Sequence, residues 1–182
     1  VEQDLDFYYE EGLKHQKKGR FNEFIACMNS YKTLALQSNC DTTYQYTEVL
    51  QTLARHANRN GQRAEAAQMM ERVVELRRYL PEVRPGNLSV SIGTLASIYD
   101  GMNRIDTAIV LQEEALAIDT RAYGPKSDYA ARDKVNLAAM LYSRGGAGDL
   151  QRAIRLAEDG HRRLPDSGKE QATAINSLVL YY

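Results

Sequence analysis

A chain of 182 residues, 43% of them apolar, can bury a substantial core and corresponds to one ordinary domain or one stretch of a repeat array. Its 23 Lys and Arg against 24 Asp and Glu leave a net charge of −1, which offers nucleic acid no broad basic face. No apolar run reaches the roughly 18 residues that span a membrane and no basic-then-apolar leader opens the chain, so nucleic-acid binding and direct membrane insertion are not expected of this segment.

Apolar residues recur at helical spacing along the chain, and Gly, Asn and Pro punctuate them. The pattern predicts helices over 3–18 and 20–37, 42–60 and 62–79, 88–102 and 104–122, 128–144 and 149–163, with a final single helix over 169–182. In the third pair, Ile92, Leu95, Ala96 and Tyr99 mark the apolar face of one helix, and Ile105, Ala108, Ile109, Leu111, Ala115 and Leu116 that of the next. The small residues Ala96 and Ala108 let two antiparallel helices approach to about 8–10 Å. Gly or Asn between them tolerates the left-handed conformation that ends a helix. Pro81, Pro85, Pro125 and Pro165 are expected in the connections that follow the second helix of each pair.

The pairs are copies of one unit. Leu53-Ala54, Leu95-Ala96 and Leu137-Ala138 stand 42 residues apart, Gly12 lies 42 before Ala54, and Gly19, Gly61, Asn103 and Gly145 keep the same step. Ala108 maps back onto Ala66 and Phe24. Its next counterpart, Ala153, comes 45 later because Gly145 to Gly148 lengthens that turn by three residues. Units over 3–40, 42–84, 87–126 and 128–166 and a partial fifth over 169–182 are expected to form one repeat domain over 1–182. A hairpin this small needs its neighbour to cover its apolar surface. Val1 is no initiator Met, and the apolar pattern is still running at Leu178 and Tyr182, so a piece of a longer chain is expected. Its last helix would offer an open apolar surface for self-association.

Leu95-Ala96-x-x-Tyr99, Asn103, Ile105, Ala108 and Ala115 resemble the tetratricopeptide repeat signature, whose common period is about 34 residues. The 42-residue step, with Ala115 to Ile118, Tyr123-Gly124-Pro125 and Asn136-Leu137-Ala138, is similar to the longer kinesin-light-chain-like variety. The first unit departs, with Gly12 for Ala, His15 for Tyr and Phe24 for Ala. A HEAT or armadillo array has a period of about 40–47 residues, and the paired alanines favour the tetratricopeptide resemblance over it.

The resemblance implies an all-α, right-handed α-α superhelix of four hairpins plus a final single helix. Its concave wall would receive a peptide or partner segment, making the chain a non-catalytic interaction scaffold. The alternative it leaves is the regulatory or substrate-recognition region of a larger chain containing a CHAT-type protease, a histidine kinase or a nucleotide-binding signalling module. Carrying over the family's groove positions selects Tyr9, Gln16 and Lys17; Gln51, Arg55, Asn58 and Arg59; Ser97 and Asp100; and Arg132, Asn136 and Tyr142. An ordinary solvated helix face would look the same at most of these positions. Arg55 and Arg59 are sharper: one turn apart, their guanidinium forks can hold a carboxylate together, so a ligand with some acidic character is expected.

Catalytic, cofactor and metal sites are not expected. His15, His56 and His161 lie in different predicted elements, and Cys27 and Cys40 lack zinc-ligand spacing. Cys27 reads as a small buried hydrophobe, and a Cys27/His15 dyad is disfavoured because His15 occupies the family's aromatic core position. Gly124-Pro125-Lys126-Ser127 lacks the first Gly and the preceding strand of a phosphate loop. Asn87-Leu88-Ser89 is a glycosylation sequon only in a secreted eukaryotic setting. Most of the twelve tyrosines recur near repeat positions and read as packing residues.

Overall fold

The computed structural model describes residues 1–162, and every regular element among them is an α-helix. In chain order these are α1 (Glu2–Lys17), α2 (Phe21–Gln37), α3 (Tyr44–Arg59), α4 (Arg63–Tyr79), α5 (Pro85–Gly101), α6 (Ile105–Tyr123), α7 (Asp128–Arg144) and α8 (Asp149–His161). Each starts and stops within three residues of the span its apolar pattern predicts. The predicted helix over 169–182, with Leu178 and Tyr182, lies outside the described residues.

The helices pair into four antiparallel hairpins that fall into two compact units. In the first, Val1–Val83, the hairpins α1/α2 and α3/α4 meet where α2 packs on α3, around Phe24, Met28, Tyr31, Leu50, Leu53, Met70 and Val73. In the second, from Arg84 onward, α5/α6 and α7/α8 meet where α6 packs on α7. Ile92, Leu95, Ile98, Leu137 and Leu141 are buried there. Ala54, Ala66, Ala96, Ala108, Ala138 and Ala153 are all fully buried, as close helix crossings require. Where the first hairpin has Gly12 instead, the space of the missing methyl is filled by the end of Met28.

The turns follow the repeat to the residue. Gly19, Gly61, Asn103 and Gly145 have φ of 70°, 81°, 60° and 66°, the left-handed region that closes a helix. At the first three, the next residue donates back across the turn: Arg20 to the His15 carbonyl at 3.0 Å, Gln62 to Ala57 at 2.9 Å and Arg104 to Tyr99 at 2.9 Å. The longer fourth turn is tied differently. Arg144 donates twice to the Asp149 carboxylate, each bond 2.7 Å, and the Gly146 N–H adds a third at 2.9 Å. The Arg144 bonds hold the Asp149 carboxyl below its usual range.

Helix starts are periodic too. Thr43 caps α3 by accepting from the Tyr46 N–H at 3.1 Å, and Ser127 caps α7 by accepting from Ala130 at 3.3 Å. Ser127 thus has a capping role in the Gly124 to Ser127 stretch. Pro85 corrects an expectation: it is the first residue of α5 rather than part of a connection, because proline's fixed φ and missing N–H suit the first helical position. Ser89 of the sequon is buried within α5, bonded to Asp119.

Candidate functional site

The first unit contains a hollow of about 330 Å³ lined by Gln16 of α1, by Phe21, Phe24 and Ile25 at the start of α2, and by Thr52, Arg55, His56 and Arg59 of α3. Spacing of i, i+4 on one helix sets Arg55 and Arg59 side by side, and among the described residues neither is in an ion pair. Phe21 is 65% exposed beneath them, an uncommon placement for a large aromatic side chain. Past Ile25 and His56 a second hollow, of about 260 Å³, is lined by Asn29 and Lys32 of α2 and by Gln62, Glu65 and Met69. The two make a surface with apolar residues below and Arg55, Arg59 and Lys32 at its margins.

Of the twelve residues selected from sequence, Gln16, Arg55 and Arg59 are brought together here. Lys17 is exposed and Asn58 half-buried, and neither lines this hollow. Tyr9 is half-buried against the Tyr31 ring, centroids 6.1 Å apart, and burial raises its hydroxyl pKa. In the second unit Ser97 and Asn136 are exposed, Asp100 half-buried and Tyr142 42% exposed, while Arg132 lies 5.6 Å from the centre of the Tyr129 ring.

Gln51 requires a correction. It is buried, not groove-facing, and its Oε1 accepts from Arg77 Nη1 at 2.7 Å. Arg77, with a side chain only 1% exposed, also donates to Thr47 Oγ1 at 2.9 Å and pairs with Glu48. Gln51 is one of the partners that make this buried guanidinium tolerable. Cys27 also departs from expectation: it is half-buried, with burial raising its thiol pKa.

Sequence reasoning passed over two groups. The first is Phe21, Phe24 and Ile25, which α2 contributes to the hollow, whereas every position selected from sequence lies on α1, α3, α5 or α7. The second is the polar interior. A 42-residue step from Arg77 lands on Asp119, and from Thr47 on Ser89, so the equivalent buried position carries opposite charges in the two hairpins, each held by a hydroxyl. That step was the available signal. Ser89 Oγ donates to Asp119 Oδ1 at 2.6 Å, and Gln112 Nε2 donates to Asp133 Oδ1 at 3.0 Å. Burial, then the neighbouring Asp119, raises the Asp133 carboxyl from 3.8 to about 7. Asp119 Oδ2 and Asp133 Oδ2 are both buried with no hydrogen-bond partner among the described residues, so protonation of Asp133 relieves the repulsion between them.

Among known families, the tetratricopeptide repeat matches residues 91–121, within α5 and α6. The third hairpin is thus similar to a tetratricopeptide repeat. The whole chain has the tetratricopeptide-like fold: 98% of it aligns with a crystal structure of a Podosopora anserina putative kinesin light chain with nearly identical tetratricopeptide-like repeats. That match has a TM-score of 0.73, 20% identity and 85% of the other chain covered. BtubC (BKLC) from P. vanneervenii gives a TM-score of 0.66 over 98% of this chain and 65% of its own, at 20% identity. The MamA protein gives 0.69 over 100% and 82%, at 19% identity. No curated protein matches the sequence.

These neighbours show the all-helical tetratricopeptide-like fold expected from the sequence. Folds of this kind generally mediate protein–protein interaction and are typically non-catalytic. No helix among the described residues is long and apolar enough to cross a membrane.

Proposed function

We propose that this chain is a non-catalytic protein-interaction scaffold that binds a peptide or partner segment with acidic and apolar residues, and that the hollow of the first unit is one contact site. The carrying observation is the meeting of Gln16, Arg55 and Arg59 over Phe21, Phe24 and Ile25. Guanidinium groups on an exposed rim favour carboxylates and supply specificity and on-rate, while an apolar side chain seated on Phe21 would supply most of the affinity. On this reading Asn58 and Lys17 border the site, and Arg132, Asn136 and Tyr142 form a separate candidate contact within the second unit, with Asp100 limiting its positive charge. The 42-residue step running from Gly19 to Gly145 supports one repeat domain over the chain.

Fluorescence anisotropy with labelled peptides of about ten residues, glutamate alternating with leucine or phenylalanine, tests the reading. The acidic peptides should bind better than counterparts with lysine in place of glutamate, and Arg55→Glu/Arg59→Glu should weaken binding about tenfold or more. Unchanged binding by the double variant, or equal binding of the lysine peptides, would refute it.

A further inference from the structure

Ile25 and His56 line both the hollow of the proposed site and the one of about 260 Å³ beside it. The two thus form one continuous seam where α2 packs on α3, with both of its walls inside the first unit. The second hollow differs from the first in its chemistry. Its apolar lining comes from buried Leu53 and Ala57 and from half-buried Met69. Its margins carry one cation and one anion, Lys32 of α2 and Glu65 of α4, where the first hollow has Arg55 and Arg59 and no acid. Among the described residues neither Lys32 nor Glu65 is in an ion pair. A lysine seated there would face Lys32 and a glutamate would face Glu65, so the position suits a neutral apolar side chain.

Asn29 and Gln62 bear on the form of the chain that spans the two hollows. Both are exposed at the margin of the second, on α2 and at the N-cap of α4, and among the described residues neither side-chain amide is hydrogen-bonded. Each amide offers donors and an acceptor, which the free C=O and N–H groups of an extended backbone can meet; in a helix those groups are already paired. The length of the seam agrees. Phe21, the exposed aromatic of the first hollow, and Asn29, midway along the α2 wall of the second, are eight residues apart on one helix, which is about 12 Å along its axis. A chain extended at about 3.3 Å per residue crosses that distance in about four residues, and its side chains at i and i+4 point the same way. We infer that the seam takes an extended segment with two apolar anchors about four residues apart. The first, beside an acidic residue, sits on Phe21 next to Arg55 and Arg59; the second is neutral and sits against Met69. This inference rests on the acidic-peptide reading of the first hollow and adds to it the ligand's conformation, its spacing and a second anchor.

The probes are labelled peptides with phenylalanine beside glutamate and a leucine at i+2, i+4 or i+7 from the phenylalanine, each made in both chain directions, together with a peptide that lacks the leucine. In anisotropy, the i+4 peptide of one direction should bind about tenfold more tightly than the leucine-free peptide, and the other spacings should gain little. A proline midway between the anchors should keep that gain, because it suits an extended chain and breaks a helix. Met69→Asn should remove the gain and Gln62→Ala should reduce it, both leaving the leucine-free peptide's affinity unchanged, whereas Arg55→Glu/Arg59→Glu should weaken every peptide. Circular dichroism and urea midpoints verify that each variant folds. A gain that peaks at another spacing, is lost with proline, or survives both Met69→Asn and Gln62→Ala would overturn the inference, as would equal binding with and without the leucine. In each of these outcomes a leucine-free peptide that still depends on Arg55 and Arg59 leaves the reading of the first hollow standing, and loss of that dependence overturns both.

Discussion

Asp133 on α7 offers a direct test of the polar interior. Its side chain is 4% exposed, beside Asp119 of α6, with Gln112 of α6 donating to it and Arg132 on its own helix drawing its pKa partly back down. Burial and Asp119 together raise the carboxyl from 3.8 to about 7, so the folded state prefers the protonated form. With the folded value raised, this contribution is fully present below about pH 4, declines as the pH climbs through 7, and is flat above. The difference between 3.8 and about 7 corresponds to about 4 kcal/mol lost across that window. Asp133→Asn removes the ionisation while keeping an acceptor for Gln112 and gaining an N–H donor for Asp119. Urea unfolding at about pH 4.5, 6, 7 and 8.5 should find the variant within about 1 kcal/mol of the parent at the lowest pH and more stable by about 2–4 kcal/mol at the highest. A difference that does not grow with pH, or a variant less stable at about pH 8.5, would refute the raised Asp133 carboxyl.

Three further outcomes are expected. Ala108→Leu should overpack the α5/α6 crossing, where Ala108 is fully buried, and lower stability by about 1–3 kcal/mol in the same urea assay. Gln51→Ala should cost about 1–3 kcal/mol by depriving buried Arg77 of an acceptor, yet leave peptide affinity unchanged; loss of affinity without loss of stability would restore Gln51 to the groove. Asn103, at φ 60°, should tolerate Asn103→Gly with little change, whereas Asn103→Val should lower the thermal midpoint by an amount equivalent to about 1–2 kcal/mol.

Much of the fold is legible along one dimension. The 42-residue step, the small residue at each helix crossing and the left-handed turn residue are local requirements, written at fixed positions whatever surrounds them. Thus Gly19, Gly61, Asn103 and Gly145 could be placed before any packing was known. Pro85 could not, because proline is compatible both with a connection and with a first helical turn, and only the observed start of α5 distinguishes them.

The site was legible in part, for a related reason. Arg55 and Arg59 share a face by helical geometry alone, so their pairing follows from the sequence. Their joining to Gln16 and to Phe21, Phe24 and Ile25 depends on how α2 crosses α3, and no local pattern encodes that crossing. Gln51 failed for the complementary reason: helical spacing gives a polar residue's direction but not what meets it, and here it meets a buried guanidinium from α4. What the sequence by itself determined is therefore the unit, its repetition and its turns, because these rest on backbone conformation and side-chain spacing within a few residues. Only the tertiary structure decided which charges are interior and which are free to meet a partner, because desolvation and ion pairing depend on helices far apart in the chain.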